Sequence, residues 1–93
     1  MNQPTIINDL MRRFPELEGA DYLEGFDAAI LGITLDDAPR VIYSANRVEE
    51  ILRQESPDLD AEAAREYAEF HIYCAYVGPR TPAFVTGVWD EDI

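Results

Sequence analysis

Lysine does not occur in this 93-residue chain. Its 7 basic residues are all arginine, against 19 Asp and Glu, which leaves a formal net charge of -12. The bias from Lys to Arg is attributed first to GC-rich coding. With so few cations the surface repels phosphates and anionic lipid heads, so direct nucleic-acid or membrane-surface binding is disfavoured. Basic surfaces are the natural partners. Cysteine occurs once, as Cys74, which excludes an internal disulfide framework and a zinc site built from cysteine pairs. No apolar window is long enough to cross a bilayer, and Met1 to Phe14 has no long apolar run, so a cytoplasmic location is expected. Gly19, Gly25, Gly32, Gly78 and Gly87 are scattered and form no phosphate loop; no cofactor is expected.

The remainder specifies a folded protein. Hydrophobic residues make up 47% and aromatics 11%, enough for a packed core, and the length is that of one domain. That domain is expected to comprise an N-terminal helix (1–15), an α+β core (16–89) and an acidic tail (90–93).

Thr5 to Arg13 reads as a short helix, with Ile6, Ile7, Leu10 and Met11 at helical spacing before Pro15 stops it. Glu16 to Asp27 is an acidic connector that carries Tyr22, Leu23 and Phe26. Ala28 to Leu35 and "RVIYS" are β-rich runs separated by "DDAP", the pattern of an antiparallel hairpin. Ser44 or Asn46 caps a helix bearing Val48, Ile51 and Leu52. Asp60 caps a second long helix, for which Gly78 and Pro79 form a stop. "AFVTGVW" has strand character. The expected fold is α+β: a small three-stranded antiparallel sheet with helices packed on one face, in the order α-β-β-α-α-β.

The second long helix changes character along its length. At about 100° per residue, Ala63, Ala64, Tyr67, His71 and Cys74 share one face, while Glu62, Glu66 and Glu69 share another. Beyond Glu69 the apolar residues Phe70, Ile72, Tyr73, Ala75, Tyr76 and Val77 point all around the axis. Either the connector covers this half or the helix ends near Cys74, or else it is an association surface carrying Tyr73 and Tyr76.

His71 and Cys74 lie three apart, but two ligands are too few for a metal site, and a buried Cys with a hydrogen-bonded His is the plainer expectation. Asp36 and Asp37 are explained by a turn, and Glu49 and Glu50 diverge on a helix. The stronger candidate is the acidic surface: Glu62, Glu66 and Glu69, with Glu49, Glu50 and Asp58 on the preceding helix and loop. Carboxylates every three to four residues advance about 5 Å along a helix, of the order of phosphate spacing on a nucleic-acid strand. The stripe therefore reads as a partner surface, set against a face that serves only solubility and that Arg65 partly neutralises.

"AILGITLDDAPRVIYSANRVEEIL" followed by "AREYAEFHIYCAYVGPRTPAFV" resembles a group of small bacteriophage and prophage proteins. The similarity covers about residues 27–86, is most specific at Tyr76, Val77, Gly78, Thr81, Pro82 and Phe84, and departs at His71, where those proteins carry Asn. It implies provenance and fold, and carries over no catalytic residues. Small acidic phage proteins often block a host protein, anti-CRISPR and other anti-defence inhibitors among them. The function expected is therefore a non-enzymatic inhibitor in the host cytoplasm. It would occupy a basic, nucleic-acid-binding surface of a host defence or nucleic-acid-processing complex. The alternative is a homodimeric structural or regulatory phage protein whose acids keep it soluble.

Overall fold

The computed structural model describes residues 6–75 and 78–86. Helix α1 (Ile6–Arg13) buries Ile7, and Pro15 ends it by opening a 3-10 turn, Pro15–Leu17, whose Leu17 is fully buried. The connector then lies along the core, burying Ala20 and packing Leu23 and Phe26 against it. A second 3-10 turn, Asp27–Ala29, leads into strand β1 (Ile30–Ile33), shorter than the apolar run that contains it.

Strand β2 (Val41–Ser44) pairs antiparallel with β1, Ile30 opposite Tyr43 and Ile33 opposite Val41. The expected hairpin is present. Its loop is tied by Thr34, whose amide donates to the Arg40 carbonyl at 2.9 Å while its hydroxyl accepts from the Arg40 amide at 2.9 Å. The register shifts between Ile30 and Gly32, a bulge that leaves Leu31 exposed on the outer strand.

Helix α2 (Ala45–Glu55) begins where β2 stops, because Ser44 closes the strand and caps the helix: its hydroxyl accepts from the Arg47 amide at 3.2 Å. Asp60 caps α3 (Ala61–Ala68), accepting from the Ala63 amide at 2.8 Å. The helix then widens into a π-helical turn, Glu69–Tyr73, and ends with Cys74 as its cap, short of Gly78. Strand β3 (Ala83–Val85) completes the sheet.

The element order is the expected one, and the fold is α+β. The sheet, however, is mixed rather than antiparallel. Its order is β1-β2-β3, and β3 runs parallel to β2, with Tyr43 beside Phe84. Two helices intervene between β2 and β3, and a crossover of that length returns the chain to the starting end of the sheet, where it pairs parallel.

One core cluster joins Ile7 of α1, Val48 of α2, Leu17, Ala29, Ile30 and the Val41 and Tyr43 that alternation places on one face of β2. The fully buried Tyr43 accepts a hydrogen bond from the Leu23 amide at 2.7 Å and stacks on Phe84 with ring centroids 5.6 Å apart. Arg80 ties two loops together. Its guanidinium donates to the carbonyls of Pro39 at 2.9 Å, Glu16 at 3.0 Å and Glu18 at 3.4 Å, joining the hairpin loop to the connector.

Candidate functional site

α3 packs against α2 through its smallest side chains. Ala64 and Ala68 are fully buried, four residues apart, and short side chains let two helices approach closely. This corrects the helix face expected from the sequence. Tyr67, His71 and Cys74 are exposed, and the imidazole of His71 lies against Tyr67 with ring centroids 4.6 Å apart. A rotation of some tens of degrees exchanges the two faces, and alanine carries little hydrophobic signal to fix that angle.

The π-helical turn bears on the alternatives left open for the apolar half of this helix. With hydrogen bonds from i to i+5, its residues no longer follow the angular step of an α-helix. Ile72 and Tyr73 both turn inward to the edge of the core, while Phe70 stands 79% exposed and Tyr67 47%. The apolar half is thus divided: part completes the core, part stays at the surface. The helix does end near Cys74, and the connector covers it only in part, since Tyr22 is itself exposed.

Tyr73 is the joint of the site. Its ring meets Phe84 at 4.9 Å between centroids, extending the aromatic row that starts at Tyr43. Its hydroxyl donates to Glu49 Oε2 at 2.7 Å, with the Ala45 carbonyl at 3.1 Å as a second acceptor. Burial pushes the phenol pKa up well beyond the usual tyrosine range. The hydrogen bond to the Glu49 carboxylate and that group's charge add to the shift. Glu49 is thereby held half-buried beneath a groove of about 470 Å³ between α2, α3 and β3. Glu69 forms part of the groove's rim and is paired at 3.6 Å with Arg65.

The acidic residues singled out from the sequence therefore do not form one array. Glu49, Glu69 and Tyr73 meet in this groove. Glu62 and Glu66 are exposed on α3, with no ion pair within 4.0 Å among the described residues, and flank Tyr67 and Phe70. Glu50 is outside that groove: it lines one hollow with Arg47 and Ile51, and shares another with Glu49 and Arg53. Asp58 is exposed in the turn between the helices. Tyr76 lies outside the described residues.

Sequence reasoning passed over Phe70 as a site residue. The available signal was its place four residues after Glu66, which makes the two neighbours on a helix surface. It also passed over Arg65 and Phe84 as parts of a groove. Among the described residues, no group of three or more His, Cys, Asp or Glu side chains is placed to hold a metal ion, and no helix is long and apolar enough to cross a membrane. Compared with protein-family models, with curated proteins and with solved structures, the chain finds no match.

Proposed function

We propose that this chain is a phage-encoded, non-enzymatic binding protein. It would block a host defence complex of the CRISPR-Cas kind, or another nucleic-acid-processing complex, by covering a basic surface in the host cytoplasm. The observation that carries this reading is Phe70: a large apolar ring 79% exposed on a helix whose neighbouring side chains include Glu66 and Glu69. An exposed aromatic at the centre of a charged rim has the anatomy of a binding hot spot, where the ring supplies affinity and the charges supply orientation and on-rate. The net charge of -12 selects a cationic partner, and the resemblance over residues 27–86 supplies the phage setting.

The homodimer reading uses the same ring and makes the opposite demand on salt. Two copies facing through Phe70 bring like-charged stripes together, so self-association strengthens as salt rises, whereas capture of a basic partner weakens.

The test is capture of tagged protein and of two variants, Phe70→Ser and Glu62→Lys with Glu66→Lys, from bacterial lysate at about 0.1 M and about 0.5 M salt. Any captured complex is then assayed for loss of nucleic-acid binding. The expected result is a nucleic-acid-binding complex retained at low salt, lost at high salt, lost with both variants, and displaced from its nucleic acid by the wild type. Dimers that strengthen with salt, with no basic partner, would overturn the reading in favour of the alternative.

A further inference from the structure

The tip of the hairpin carries apolar surface that folding does not use. Leu35 follows β1 and is 94% exposed, the most exposed large hydrophobic side chain among the described residues. One exposed leucine is ordinary by itself. This one stands beside a hollow of about 380 Å³, lined by the half-buried Phe14 and Ile33 and the buried Pro39. An exposed aliphatic side chain next to an apolar hollow offers a partner both a knob and a socket, with polar groups around them.

The tip is held in shape before anything binds. Thr34 and Arg40 share two hydrogen bonds, one of them through the Thr34 hydroxyl, which in turn donates to Asp36 Oδ1 at 3.2 Å. Arg80 grips the Pro39 carbonyl at 2.9 Å. A surface ordered in advance loses little freedom on association.

Charge selects the partner. The hollow is bordered by three exposed carboxylates, Glu16, Asp36 and Asp37, and no arginine lines it. None of the three is in an ion pair within 4.0 Å among the described residues. The neighbouring guanidinium groups are otherwise engaged: Arg13 lies over the Phe14 ring, 5.9 Å from its centroid, and Arg40 and Arg80 donate to the carbonyls of Thr81 and Pro39. A second copy of this chain, itself at a net charge of -12, would be repelled here, as would an anionic lipid surface. A cationic protein segment is the occupant whose charge complements the rim.

We infer that the hairpin tip is a second docking surface, separate from Phe70, that takes a cationic segment carrying one apolar side chain. That side chain enters the hollow between Phe14 and Pro39, beside Leu35, and the arginine or lysine side chains flanking it meet Glu16, Asp36 and Asp37. This goes beyond the reading above by giving the chain two contact regions, and it rests on that reading only for the partner's sign of charge.

The test titrates the full chain with a fluorescein-labelled peptide in which one leucine is flanked on each side by arginines. The same peptide with serine for leucine, and one with glutamate for every arginine, serve as comparisons. Binding is followed by fluorescence anisotropy and by backbone amide shifts. The expected result is binding of the leucine peptide, about five-fold weaker binding of the serine peptide despite its identical charge, and none of the glutamate peptide. The largest shifts fall on Phe14, Glu16 and Thr34 to Ala38. Leu35→Ser, and Glu16→Gln with Asp37→Asn, each weaken the leucine peptide about five-fold while the unliganded spectrum stays that of the folded chain. Equal binding of the leucine and serine peptides, or shifts confined to Glu62, Glu66 and Phe70, would overturn the second surface while leaving basic-partner recognition standing. Failure of the leucine peptide to bind would also overturn it.

Discussion

Tyr73 does several jobs with one side chain, and its phenol proton is the part most open to measurement. Removing the hydroxyl in Tyr73→Phe is expected to cost about 1 kcal/mol at neutral pH, less than a fully buried charged hydrogen bond because Glu49 can rehydrate at the groove. The pH dependence carries more information. The folded pKa is raised, so the folded chain keeps this proton while the unfolded chain loses it near pH 10. Stability from this group is complete below about pH 10 and declines as pH climbs above it, by at most about 1.4 kcal/mol per pH unit. Tyr43 contributes in the same direction, since burial raises its pKa as well. Urea denaturation between about pH 9 and pH 11 should therefore show a steep decline for the wild type and a shallower one for Tyr73→Phe. Equal slopes would mean that the phenol is not held as described.

At the scale of elements, the sheet and its connector are joined through Arg80, whose guanidinium reaches three carbonyls in two separate segments. The planar fork has five donors in fixed directions, and an ammonium group cannot reproduce the set. Arg80→Lys should lower stability by about 1 kcal/mol and Arg80→Ala by about 2 kcal/mol, read as shifts of the thermal midpoint. Full retention of stability in Arg80→Lys would mean that charge alone suffices. What could be read from the sequence sorts along similar lines. Asp60, Ser44 as one of two candidate caps, and the turn at Asp36 to Pro39 were legible because a cap or a turn is decided within a few residues, although the loop proper is longer, from Thr34 to Arg40. The polarity of β3 was not, because it depends on how α2 and α3 return the chain to the sheet. The π-helical turn was not either, since an angular reading presupposes a constant step. In the candidate site, Glu49, Glu69 and Tyr73 were all singled out, yet their meeting joins α2 to α3 across the chain. The separation of Asp58 from them likewise needed three dimensions.

For the molecule as a whole, the property that outweighs the rest is the net charge of -12 carried by so short a chain. Self-repulsion on that scale works against compaction, and it is screened by salt, with a Debye length near 10 Å at about 0.1 M. Raising sodium chloride from about 0.02 M to about 0.5 M should therefore raise the thermal midpoint by several degrees, measured by circular dichroism. A midpoint insensitive to salt would mean that the carboxylates are too far apart to repel. The mixed sheet has a consequence of another kind. The central strand β2 receives β1 from a neighbouring segment, but its second neighbour, β3, arrives only after both helices have been made. On the ribosome, synthesised from the N-terminus, β2 therefore waits with one side open while α2 and α3 emerge. The chain's hazard during synthesis is thus a temporal one: a nascent hairpin whose centre strand keeps one edge open until α2 and α3 are made, guarded in the interval by the mutual repulsion of neighbouring copies.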